Sequence, residues 1–229
     1  MIEMVHVSKD YHENPGVLFD LTLRVGKGKF VYLIGPSGSG KTTFLKLLYA
    51  AERPTAGEIR VNEFSISRLK PREIPYLRRS LGVVFQDLKL LPRRTTSENV
   101  AFALEVLGVP RREILKRTSE ALQLVGIGHK GKCFPPQLSA GEQQRVAIAR
   151  AIVNNPLVLL ADEPMGNMGR GAREGILRLF DEINLRGATL VLATQNEELP
   201  GMLPKERIVL ERGRLVESSL PNPAVGIGE

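Results

Sequence analysis

At 229 residues the chain suits one domain with a sizeable core, with room for an inserted piece. The single cysteine, Cys133, excludes an intrachain disulfide and suits a reducing compartment, and no apolar run approaches the roughly 18 residues of a membrane span. The net charge of +7 is compatible with nucleic acid, anionic lipid or a bound polyphosphate, although a solvated basic surface is the plainest reading. Lys and Arg are dispersed in short pairs such as Arg78-Arg79, Arg93-Arg94 and Arg111-Arg112, and there is no stacking motif of the kind nucleic-acid binders use. No nucleic-acid partner is expected; an anionic membrane surface is the better alternative. The stretch Met1 to His6 lacks the basic-then-apolar pattern of a signal peptide, so a cytoplasmic chain is expected.

In chain order, runs rich in Val, Ile and Leu predict strands at Ile2–Val7, Leu21–Val25 and Phe30–Ile34. A helix is expected over Thr42–Ala50, where Phe44, Leu45, Leu47 and Leu48 share a face, followed by a strand at Leu81–Phe85. From about Leu88 to Asn154 the pattern is helical, over Glu98–Leu107, Arg111–Val125 and Gly141–Asn154. Thr95 and Glu98 form a capping box for the first of these, and Pro110 favours the start of the second. Strand patterns return at Leu157–Ala161, Thr189–Ala193 and Ile208–Glu211, with a helix over Ala172–Asn184 that places Ile176, Leu177, Phe180 and Ile183 on one face. Strands alternating with helices predict an α/β fold with a mostly parallel sheet, and the helix-free N-terminal strands predict an antiparallel piece beside it. The expected division is a single domain of residues 1–220, with a core (1–87 and 155–220) and an inserted helical subdomain (88–154), followed by a loose tail at 221–229.

Between the strand Phe30–Ile34 and the following helix lies Gly35-Pro36-Ser37-Gly38-Ser39-Gly40-Lys41-Thr42, a complete phosphate-binding loop in the strand–loop–helix context that makes such a motif credible. Its glycines let backbone N–H groups curl around an oxyanion, and the helix aims its positive end at the same point. Lys41 can reach the β- and γ-phosphates, and the Thr42 hydroxyl can ligate Mg²⁺. Leu157 to Ala161 ends in Asp162 and Glu163, so a buried strand delivers a carboxylate to that metal. Because successive strand side chains point oppositely, the two acids are expected to split their roles, Asp162 for Mg²⁺ and Glu163 as general base for an attacking water. Leu138-Ser139-Ala140-Gly141-Glu142-Gln143-Gln144 is, read locally, a capping box from Ser139 to Glu142.

That last stretch, lying between phosphate loop and carboxylate strand, resembles the Leu-Ser-Gly-Gly-Gln signature of the ATP-binding-cassette ATPases, and the resemblance spans essentially the whole chain. It implies a RecA-like parallel-sheet core with an antiparallel flank and an inserted α-helical subdomain. It implies ATP held by the loop Gly35 to Thr43, with Thr43 included, Tyr11 where the family stacks an aromatic on adenine, and Gln86 at the family's Q-loop. Tyr11 can equally be a strand-edge aromatic. Thr42, Gln86 and Asp162 would serve Mg²⁺, and Lys41, Glu163 and Gln195 the chemistry. Two copies would meet head to tail, each ATP touching Ser139, Ala140, Gly141 and Glu142 of the other copy. Stretches such as Val84-Phe85-Gln86-Asp87 and Phe134-Pro135-Pro136-Gln137 are similar to a subgroup of cell-division, lipoprotein-release and macrolide-efflux ATPases, and favour the cell-division kind. Members of this subgroup drive an integral membrane subunit, which would place the chain on the inner face of the membrane. The apolar run Phe85 to Leu91 either receives that subunit or fills the joint between subdomains.

Two departures stand out. The loop after the carboxylates reads Glu163-Pro164-Met165-Gly166-Asn167-Met168-Gly169, with Gly169 where the family has Asp, and Gln195 stands where it has a switch histidine. They leave ATP binding intact and put the hydrolysis rate in question. A nucleotide-gated dimerisation module that hardly turns over ATP is therefore the alternative to a motor ATPase.

Overall fold

Every side chain of the five-residue run Phe30–Ile34 is buried, the mark of a strand covered on both faces. In the computed structural model, which describes residues 1–11, 14–166 and 168–220, this strand sits inside a six-stranded sheet. The chain runs β1 (Ile2–Tyr11), β2 (Asn14–Val25), β3 (Phe30–Ile34), α1 (Lys41–Leu48), β4 (Ala56–Val61), β5 (Phe64–Ser65), α2 (Ile74–Arg79) and β6 (Leu81–Val84). It continues with α3 (Thr96–Glu105), α4 (Arg111–Leu124), α5 (Ala140–Ile152), β7 (Val158–Asp162), α6 (Arg170–Leu185), β8 (Thr189–Thr194), α7 (Leu199–Met202), β9 (Glu206–Glu211) and β10 (Arg214–Ser218).

The large sheet has the order β10-β9-β3-β8-β7-β6, parallel except for the edge strand β10. A second, antiparallel sheet of order β2-β1-β4-β5 flanks it. Alternation along β3 divides the core. Val31 and Leu33 pack with Phe44, Leu47 and Leu48 of α1 and with the antiparallel sheet; Phe30, Tyr32 and Ile34 pack with the helices on the opposite face. α6 buries Ile176, Leu177, Phe180 and Ile183, the face its periodicity predicts, and each such side chain contributes about 1.5–3 kcal/mol. α5 packs against α3, α4 and β6, and its backbone comes so close to β6 that a Cβ on Gly82 would lie 2.4 Å from the Ala151 carbonyl oxygen.

The expected elements are present, with ends shifted by a few residues, and the tail 221–229 lies outside the described residues. The thin patterns went unread. β4 offers only Ile59 and Val61 to the core, and α2 only Leu77. β1 is longer than its apolar run because register shifts with His6 in a left-handed conformation carry the pairing on to Tyr11. The leucines after Gln86 fill the joint: Leu88 and Leu90 are half-buried against the helical side of the core.

Candidate functional site

β3 stops at Ile34 because the chain must turn into α1 within six residues. Gly35 permits that turn, since a Cβ there would fall 2.2 Å from the Leu210 carbonyl oxygen and 2.5 Å from Ser39 Oγ. Gly40, at φ 101°, is the N-cap of α1; no side chain caps this end and its first turn carries no acid. The free N–H groups and the positive end of the helix dipole therefore face the loop uncompensated, as an anion site requires. The Lys41 side chain curls back across the loop and donates to the carbonyls of Gly35 (2.7 Å) and Pro36 (3.0 Å). Ser39 Oγ is buried with no hydrogen-bond partner.

β7 ends beside this loop. Asp162 is buried beside the Thr42 hydroxyl and leaves Oδ1 without a partner. Burial pushes its carboxyl above the ordinary range, against the pull of Thr42, Lys41 and Lys46. At Glu163 the strand breaks: the residue takes φ 43° while its N–H donates to the Ala193 carbonyl at 2.9 Å. Strand alternation therefore stops, and both acids border one recess instead of facing opposite ways. Glu163 Oε1 lies 3.6 Å from Lys41 Nζ, with the Gln195 N–H and the Thr194 hydroxyl near the carboxylate. Burial still outweighs these partners and raises its pKa. A non-glycine residue held at positive φ costs about 1–3 kcal/mol, and here it places the Glu163 carboxylate beside Lys41.

The recess has a volume of about 400 Å³ and brings together Tyr11, Ser37, Gly38, Gly40, Lys41, Thr42, Thr43, Gln86, Asp162, Glu163 and Gln195, all singled out from the sequence. The Tyr11 hydroxyl is 3.5 Å from Thr43 Oγ1, and the Lys9 ammonium sits 4.7 Å from its ring centroid. Sequence reasoning missed Val17, Lys46 and Thr194. The spacing of Lys46 one turn beyond Thr42 on α1 was a usable signal; Thr194 and Val17 come from other strands and gave none.

Ser139, Ala140, Gly141 and Glu142 do not border this recess. They form the start of α5, where the predicted capping box is present: Ser139 Oγ accepts from the Glu142 N–H (3.3 Å), and the Ser139 N–H donates to Glu142 Oε2 (2.8 Å). That backbone bond, with help from the Ser139 hydroxyl, holds the Glu142 carboxyl below its usual range. Ser139 and Ala140 are exposed, and a Cβ on Gly141 would meet nothing within 4 Å, so this helix end is open to an approaching molecule. Gly169 is the N-cap of α6 and supplies no side-chain cap; Gln195 is exposed at the rim.

A phosphate-loop motif at the start of α1 and two carboxylates at the end of β7 thus border one recess, the arrangement expected of an ATPase. The family model described as ABC transporter matches residues 18–166, and the chain belongs to that family, as an ATPase. It is similar to the cell division ATP-binding protein FtsE of Bacillus subtilis (strain 168), 49% identical over 216 residues that cover 94% of this chain and 95% of that protein. FtsE of Escherichia coli (strain K12) is 47% identical over 215 residues, covering 94% and 97%. Among solved structures, the dimeric bacterial ABC transporter cassette MJ0796 superposes with a TM-score of 0.87 at 34% identity, covering 96% of this chain and 98% of that one. The same cassette in a dimeric post-hydrolysis state bound to ADP and Pi gives 0.85 at 32% identity, with the same coverage.

No helix among the described residues is long and apolar enough to cross a membrane.

Proposed function

We propose that this chain is the ATP-binding subunit of a cell-division complex of the FtsE kind, in which ATP closes a head-to-tail homodimer that drives an integral membrane subunit resembling FtsX. The observation that carries the reading is the recess itself, with loop, both acids and Gln195 on one side, and the Ser139–Glu142 helix end exposed elsewhere on the same chain. A site that lacks its second helix end within one chain is completed by a second copy. In this reading residues 1–87 and 155–220 are the nucleotide core, residues 88–154 the helical subdomain, and the complex sits on the inner face of the membrane.

The residues suit Mg²⁺-ATP. Asp162 Oδ1 is a buried oxygen without a partner, and the hydroxyl of Thr42 and amide of Gln86 add hard oxygen donors, the set Mg²⁺ takes alongside phosphate oxygens. Bound there, the metal would neutralise charge on the phosphates. Lys41 and the loop N–H groups hold the β- and γ-phosphates, and Tyr11 meets the adenine. Glu163, made more basic by burial, accepts a proton from the attacking water, with its backbone fixed by the N–H bond to the Ala193 carbonyl. Gln195 donates its side-chain amide to the γ-phosphate. The absence of a histidine and of the Asp at Gly169 favours a second reading, a slow ATPase whose main output is ATP-gated closure.

A cleft of about 590 Å³ between α2, β6 and α3, lined by Pro75, Phe85, Ala103, Val106 and Leu107, is the apolar surface offered to the membrane subunit. Val106 is 67% exposed there. Val106→Asp is expected to abolish co-purification with the co-expressed FtsX-like subunit in detergent while leaving ATP affinity intact. Unchanged co-purification of the variant, or failure of the wild type to co-purify, refutes this assignment.

A further inference from the structure

The charge of the chain is not evenly spread once it is placed on the fold. Residues 66–94, about one-eighth of the chain, hold eight Lys or Arg against two acids, and so six of the seven net positive charges. This segment comprises the turns leading into α2, α2 itself, β6 and the approach to α3, the elements around the apolar cleft. Its acids are already engaged: Glu73 accepts from the Lys70 N–H at 2.7 Å, and Asp87 pairs with Lys89. Arg68, Lys70, Arg72, Arg79 and Arg93 are exposed and form no ion pair among the described residues.

Apolar groups stand among these cations. Tyr76 is 58% exposed with the Arg79 guanidinium 5.1 Å from its ring, and at the start of α3 Arg94 lies 4.8 Å from the ring of Phe102, itself 36% exposed. Each pair joins a cation to an aromatic, the mixture that suits a headgroup layer with one apolar side and one wet side. An elongated polyanion would call for a stacking platform or a continuous basic track, and in the cleft Arg78, Arg79 and Arg150 are set among apolar Pro75, Phe85 and Val106 instead. We propose that the basic surface of residues 66–79 and 89–94 binds anionic phospholipid headgroups around the membrane subunit, so that lipid charge and the cleft grip the membrane together. This rests on the reading that the cleft receives that subunit, because docking there turns α2 and the approach to α3 toward the membrane, where their charge acts over a Debye length of roughly 8 Å.

The test uses the full chain without its membrane subunit, in sedimentation with vesicles of phosphatidylcholine alone or mixed equally with phosphatidylglycerol. Binding is expected only to the mixed vesicles and is expected to fall as salt rises. Each cation near an anionic surface is worth about fivefold, so Arg68→Gln, Arg72→Gln and Arg93→Gln combined should weaken binding on the order of a hundredfold. The triple variant should keep its ATP affinity and still co-purify with the membrane subunit in detergent, where no bilayer is present. Equal binding of wild type to both vesicle types, undiminished binding by the triple variant, or displacement of the mixed vesicles by stoichiometric nucleic acid would each overturn the proposal. A wild type that ignores vesicles yet captures the membrane subunit overturns this proposal alone; one that binds vesicles but not the subunit overturns the cleft assignment on which it rests.

Discussion

Restoring the two missing family residues should speed hydrolysis, and the structure indicates how each would act. The Gln195 peptide N–H lies near the Glu163 carboxylate while its side chain is exposed at the rim of the recess. Gln195→His therefore exchanges the side chain and leaves that backbone group in place. An amide can donate to the γ-phosphate but cannot accept and carry a proton as imidazole does. A hydrogen bond from a charged donor exceeds a neutral one by about 1–1.5 kcal/mol, close to a tenfold gain in rate. Gly169 has extended backbone angles, φ −66° and ψ 160°, and no atom within 4 Å of a Cβ built on it. Asp fits there without strain, caps α6 and faces its dipole, a gain of about 0.5–1 kcal/mol. Gly169→Asp alone should raise the melting temperature by roughly 2–4 °C and steady the loop from Glu163 to α6. Steady-state phosphate release should show slow turnover for the wild type, about tenfold faster turnover for Gln195→His, and more for the double variant. Wild-type turnover near the median enzyme value of about 10 per second, or a double variant no faster than wild type, refutes the reasoning.

Two further outcomes follow from the same recess. Lys41→Ala removes a buried ammonium that lies 3.6 Å from Glu163 and is bonded to the loop carbonyls; ATP affinity, read with a fluorescent analogue, should fall at least tenfold, about 1.4 kcal/mol or more, and unchanged affinity would overturn the loop assignment. The burial-raised pKa of Glu163 means that its ionisation opposes folding, so the wild type should lose stability as pH rises from the ordinary carboxylate range through the raised value. Nucleotide-free Glu163→Gln should accordingly melt higher than wild type at neutral pH, with the difference vanishing in acid where Glu163 is protonated; a difference that is constant with pH would contradict this.

Wherever one short segment carries the information, the sequence by itself was sufficient. The loop Gly35 to Thr42, the capping boxes at Thr95 and Ser139, and the buried faces of α1 and α6 are local patterns, because a helix period or a cap is decided within a few residues. The alternation of strand and helix likewise predicts the parallel sheet, since parallel strands need crossovers. Other features depend on contacts between distant segments. Alternation along β7 places Asp162 and Glu163 on opposite faces, yet they share a recess because a hydrogen bond to the Ala193 carbonyl on β8 accompanies a left-handed turn at Glu163. β4 could not be read because it has only two core side chains, and its place depends on pairing with β1. The Leu88–Leu90 stretch reads in sequence either as a docking surface or as filler of the joint, and the fold decides for packing, while the cleft is assembled from α2, β6 and α3. The charge excess over residues 66–94 is written in the sequence, but burial is a property of surfaces that meet only when the chain is folded, and for that reason the tertiary structure alone decided it.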